Sequence, residues 1–344
     1  MHASLLEIGV IGLDFLVLAA LMGGAAVGGW LTAGLGERGL VADGLRGLVD
    51  ATLAVLMMTT VLMLGFRTAN LVDVPFLQAW PYALKVITHS HFGTLWLVRA
   101  VALLVLVMLW IWVRRNFNAR AYACFVLAGA IMATAISSTT HAGSEGIWTF
   151  DNMVNSLHIL AACFWGGTVI AYIIVMQPLF KNSREMRSAI AVSTVRFSTL
   201  AGGALAIVVV TGLINAWHRL DSWQILWTTG YGWTLSAKLA LVALMAGIGA
   251  LNRFLIVPSI ESPAVAGSAV GTDPARRFFR VLRVDSLVFL LIMLLAAALS
   301  MQSPRHEGGE GMHGATADGY GQSLFRNGMV FSTAYSANFY SRFG

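Results

Sequence analysis

The chain is 344 residues long, 58% hydrophobic and 11% charged, with a mean hydropathy of +0.75. These values exclude a soluble globular protein, because several runs of about twenty apolar residues define a polytopic all-α membrane protein. The formal charge of +6 does not call for nucleic acid, since Arg and Lys accumulate in the cytoplasmic loops of membrane proteins.

Hydropathy predicts eight spans, near 8–33, 49–66, 93–113, 120–138, 153–177, 197–217, 233–256 and 282–301. The N-terminus lacks a basic region and its apolar run continues past residue 30, as in a first span rather than a cleaved signal. Cys124 and Cys163 both fall in apolar runs, which leaves no disulfide framework. The segments 34–48, 114–119, 178–196 and 252–281, with their borders, carry most of the Arg and Lys. By the positive-inside rule these loops are cytoplasmic, so both termini are expected in the periplasm.

On that map His2, His89, His91, His141, His218, His306 and His313 fall on the periplasmic side, and His158 lies in the outer half of the fifth span. Histidine titrates near neutrality and is the commonest metal-ligand side chain, so a one-sided set suggests a face that meets metal ions or protons. The alternative is that cytoplasmic loops select Arg and Lys and exclude His incidentally.

Residues 137–167 are the stretch that best repays attention. His141 and Glu145 follow the fourth span, Met153 stands at the mouth of the fifth, and His158 lies inside it. A histidine within a span is costly and functional by default. Imidazole, carboxylate and thioether together suit a soft or borderline metal such as copper. His89-Ser90-His91, if extended, would place two rings on one side of the chain. The Gly- and Ser-rich tail from 304 adds His306, Glu310, Met312 and His313, a composition suited to weak metal capture. Met57, Met58 and Met63 offer thioethers to Cu(I), but methionine is also ordinary packing material.

H-x-G-x-E-G occurs after the fourth span (141–146) and again after the eighth (306–311). FGTLWLVRA (92–100) opens the third span and YGWTLSAKL (231–239) the seventh, aligning Gly93 with Gly232 and Arg99 with Lys238. The expected domains are therefore two parallel four-helix repeats, 1–146 and 147–303, and a flexible tail, 304–344. Arg99 and Lys238 lie seven residues into their spans, about 10 Å down at 1.5 Å per residue. Asp14 lies at comparable depth, near the repeat position of His158. An ion pair of Asp14 with Arg99 is expected, with His158 nearer Lys238; the competing reading lets both cations snorkel outward.

From about 88 to 113 and 120 to 300 the chain resembles the copper resistance protein D (CopD) family of bacterial inner-membrane proteins. The resemblance rests on Phe92-Gly93 with Arg99, Tyr231-Gly232 with Lys238, the His141 turn, His158 with Trp165-x-Gly167, and Leu251-Asn252-Arg253. It implies copper uptake or tolerance, with copper as the ion handled, no enzymatic turnover, and a periplasmic copper-binding partner of the CopC type. Two alternatives stand beside it. One is a haem-bearing electron-transfer protein with His158 as axial ligand. The other is a proton-linked transporter or assembly factor using Asp14, Arg99, His158 and Lys238 as a relay.

Overall fold

The computed structural model describes residues 5–33, 38–114, 119–140, 146–182, 186–220, 222–265 and 272–302. Its elements are α1 (Leu5–Ala26), α2 (Arg38–Val72), α3 (Ala83–His89), α4 (His91–Val113), α5 (Ala119–Ser138), α6 (Phe150–Asn182), α7 (Met186–Arg219), α8 (Ile225–Thr228), α9 (Gly230–Leu251), α10 (Val257–Val265) and α11 (Thr272–Ser300). No strand occurs among the described residues. Seven helices there are long and apolar enough to cross a membrane, and one further apolar stretch, Tyr122–Ser138, is shorter. The protein is a multi-pass helical membrane protein.

Several helices outrun the expected spans. α2 has 35 residues where 49–66 was expected, and α6 and α7 have 33 and 34. Hydropathy registers only the part immersed in hydrocarbon, about 30 Å or twenty residues, whereas the backbone stays helical beyond it. The expected cytoplasmic loop 252–281 is corrected for the same reason. A π-turn at Asn252–Ile256 carries α9 into α10, and α11 already begins at Thr272.

α1 is the central helix, packing against α2, α5, α6 and α11. Its Leu18, Leu21 and Met22 are fully buried, as are Val27 and Leu31 in the π-turn that continues it. The α1–α6 crossing is built on glycine: a Cβ on Gly23 would run into the Gly167 carbonyl, and one on Gly167 into the Ala19 carbonyl. Small residues at such a crossing let two backbones meet and gain dispersion contacts that lipid cannot match.

The end carrying the arginines is firmly tied. Arg196 of α7 donates to Ala33 O (2.6 Å), Trp30 O (3.2 Å) and Leu31 O (3.4 Å), carbonyls of the segment where the first span ends. Asp50 accepts from Trp110 Nε1 (2.7 Å) and Arg114 Nη2 (2.8 Å), and Arg253 donates to Ser198 Oγ (2.7 Å). Nearby, Tyr172, Phe197, Phe278 and Phe279 form an aromatic cluster with ring centroids 4.9 to 6.2 Å apart.

Candidate functional site

At the opposite end, two polar constellations lie inside the bundle. The first joins α1, α2 and α4. Asp14 and Arg99 are 1% and 5% exposed and form an ion pair, as expected from the sequence, so Arg99 does not snorkel. Thr59 also donates to Asp14 Oδ1 (2.6 Å). Beside the pair lies a cavity of about 130 Å³, lined in part by Glu7, Thr60, Met63, Trp96 and Arg99, with room for water. Arg99 Nη1 points at Met63 Sδ (3.7 Å). A second cation at that sulfur would meet the guanidinium at close range, which counts against Met63 as a copper relay.

The second constellation is a seam between α6 and α7. Asp151, Asn155 and His158 follow one another at i, i+4 and i+7 on α6, so they share a face. They meet His218, Asn215 and Thr211, which descend the antiparallel α7. His218 Nδ1 is 2.7 Å from Asp151 Oδ1, Asn215 Nδ2 donates to Asn155 Oδ1 (3.3 Å), and His158 Nδ1 is 3.0 Å from Thr211 Oγ1. The Thr211 hydroxyl also lies 2.6 Å from Ile207 O; with its proton donated there, it accepts from His158 and the ring proton sits on Nδ1. In that tautomer the lone pair of the ring is on Nε2, the atom a metal would bind. Gly212 makes room for the ring; a Cβ there would stand 3.2 Å from His158 Cε1.

Asn152, fully buried, fastens both ends of the connection between α5 and α6. Its Nδ2 donates to Ser138 Oγ (2.9 Å) and Ile147 O (2.8 Å), and its Oδ1 accepts from Ser137 Oγ (2.7 Å). Ser137 Oγ also accepts from Asn155 Nδ2 (2.9 Å), which joins this clasp to the seam. Asn152→Ala removes the three side-chain hydrogen bonds to Ser138, Ile147 and Ser137, at about 0.5–1.5 kcal/mol each. The expected result is a lower unfolding midpoint in detergent, together with faster proteolysis within residues 139–149; an unchanged digestion pattern would refute the clasp.

Of the residues singled out in the sequence, His141, Glu145, His306, Glu310, Met312 and His313 lie outside the described residues. Met153 is exposed, and its position five residues before His158 puts it on another face of α6. Lys238 is half-buried on α9.

The expected extended His89-x-His91 is corrected. His89 closes α3, with Nδ1 2.6 Å from Thr88 Oγ1 and 3.3 Å from Lys85 O, while His91 opens α4. Ser90 between them is the N-cap of α4 (φ −125°, ψ 151°), and its hydroxyl accepts from Gly93 N (2.9 Å). Thr229 caps α9 in the same way (φ −125°, ψ 155°), accepting from Gly232 N (3.0 Å). The aromatic-Gly motif is thus a capping device: Gly93 and Gly232 lie against carbonyls of the preceding short helices, where a Cβ would collide.

Asp151, Asn152, Asn155 and Thr211 were not picked out as site residues. Their spacing on each helix is visible in the sequence, but the pairing across α6 and α7 is not. Among the described residues no group of three or more His, Cys, Asp or Glu side chains could hold a metal ion.

Fold and seam together define a multi-pass membrane protein with buried polar chemistry at one end. The chain belongs to the copper resistance protein D family. Two family models match, "Copper resistance protein D-like, N-terminal domain" over residues 3–150 and "Copper resistance protein D" over 191–299. The chain is 26% identical to Copper resistance protein D of Pseudomonas syringae pv. tomato, over 68% of this chain and 76% of that one. It is likewise 26% identical to Copper transport protein CutJ of Bacillus subtilis, over 71% of this chain but 43% of that protein. Inner membrane protein YebZ of Escherichia coli is 26% identical, over 72% of this chain and 83% of its own length. No solved structure matches the chain at a significant level.

Proposed function

We propose that this inner-membrane protein takes copper from the periplasm and passes it into the bundle, in transport or tolerance, without enzymatic turnover. The observation that carries the reading is His158, set inside the span with Nδ1 held by Thr211 and its lone pair on Nε2. The capture residues are His141 and Glu145 on the clasped connection, with His89, His91 and Met153 at the rim. His306, Glu310, Met312 and His313 on the tail raise the local copper concentration. A periplasmic copper-binding protein of the CopC type is the donor. The basic end faces the cytoplasm, which puts both termini outside.

Two parallel four-helix repeats, 1–146 and 147–303, support this arrangement. The same interval separates Glu7 from Asp151, Asp14 from His158, and Gly23 from Gly167, and the last two touch each other at the α1–α6 crossing. The paired caps at Ser90 and Thr229 add to it. In the first repeat Asp14 is neutralised by Arg99; in the second an imidazole stands in the corresponding place.

His158→Ala is expected to lower the copper content of the purified protein by the inner site's share, measured by elemental analysis, with an unchanged elution profile. Thr211→Val, which frees the tautomer, is expected to weaken binding about 10- to 100-fold. Wild-type copper content in His158→Ala would end the proposal, and a Soret band in the purified protein would replace it with a haem-bearing one.

A further inference from the structure

Resting on the copper reading above, we propose that His218, oriented by Asp151, is a second copper-binding imidazole at the exposed end of the seam that leads to His158. An ionised carboxylate only accepts, so the 2.7 Å contact between His218 Nδ1 and Asp151 Oδ1 puts the ring proton on Nδ1. Nε2 then carries the lone pair. A carboxylate behind one ring nitrogen is the arrangement that orients metal-binding imidazoles and raises their basicity.

Position supports the assignment. The side chains of His218 and Asp151 are 40% and 49% exposed, open to the aqueous side, whereas His158 is partly buried. Phe150 stands beside the His218 ring, with centroids 5.9 Å apart. Asp151 and His158 are seven residues apart on α6, as are His218 and Thr211 on α7. The two imidazoles therefore lie on one seam about 10 Å apart along it, at 1.5 Å per residue. The Asn155–Asn215 rung separates them.

The corresponding heights between α1 and α2 carry no imidazole. Asn70 Nδ2 donates to Glu7 Oε1 (3.1 Å) where Asp151 meets His218, and Thr59 meets Asp14 where Thr211 meets His158. Imidazoles with a committed Nδ1 are thus paired on the α6–α7 seam.

One imidazole nitrogen, oriented from behind by a carboxylate, makes an incomplete coordination set, which leaves positions for the ligands of whatever delivers the metal. Transfer is then ligand exchange: a bond from copper to the donor breaks as the bond to Nε2 forms. No proton has to leave Nε2, and the oxidation state of copper does not change. An exposed imidazole nitrogen suits Cu(II).

The test uses the full-length, untagged protein in detergent, titrated with Cu(II) chloride and followed by calorimetry and electron paramagnetic resonance. His218→Ala is expected to remove one class of bound Cu(II). Asp151→Asn, nearly isosteric, is expected to keep the stoichiometry and weaken that class about 10- to 100-fold. His158→Ala should leave it in place. Loss of copper in His158→Ala with none in His218→Ala overturns this inference and leaves the proposed function standing. Loss in His218→Ala with none in His158→Ala supports the inference and removes the inner site. Wild-type binding in both variants overturns both, and an unchanged affinity in Asp151→Asn overturns the orienting role of the carboxylate.

Discussion

Asp14→Ala is expected to destabilise the protein by about 3–5 kcal/mol, because it leaves the Arg99 guanidinium charged, buried and without its carboxylate. Unfolding in mixed micelles with a denaturing detergent measures it. The double variant Asp14→Leu, Arg99→Met should recover most of that loss, since replacing both members of a buried pair by apolar side chains is often neutral. If the pair is a structural clasp, the double variant also binds copper as the wild type does, for His158 lies on a different helix pair. A double variant as unstable as the two single changes combined would show that the charges do not act as a unit.

Gly167→Ala is expected to have an effect of similar size, about 3 kcal/mol or more. The new methyl would occupy the place of the Ala19 carbonyl. A backbone oxygen has no rotamer by which to move aside, so α1 and α6 must separate along their length. Gly202→Ala is the control: nothing lies within 4 Å of its Cβ position, so the change should be close to neutral or slightly stabilising. Equal thermal midpoints for the two alanine variants would refute the close crossing.

The Asp14–Arg99 pair was legible in the sequence because a charge at that depth demands a partner, and few candidates share the layer. The helical, multi-pass class was legible from the length of the apolar runs. Helix ends were not. In α2 and α10 the helix continues through polar residues that hydropathy counts as loop. His89-Ser90-His91 misled for a local reason, since the serine between the rings serves a cap whose acceptor role depends on a glycine three residues on. The α6–α7 seam needed the structure. Thr211, Asn155 and Asn215 are individually ordinary polar residues, and only the antiparallel register of the two helices turns them into successive rungs.

The Arg196 contacts have a mechanical consequence. One side chain on α7 grips the peptide oxygens of Trp30, Leu31 and Ala33 just beyond α1, and aromatic rings lock the neighbourhood. At the other extremity α6 and α7 are joined by side-chain bonds that water or an incoming ion can replace one at a time. The two ends of the α6–α7 pair are thus held by different means, one by an arginine clamped on backbone carbonyls, the other by side-chain rungs.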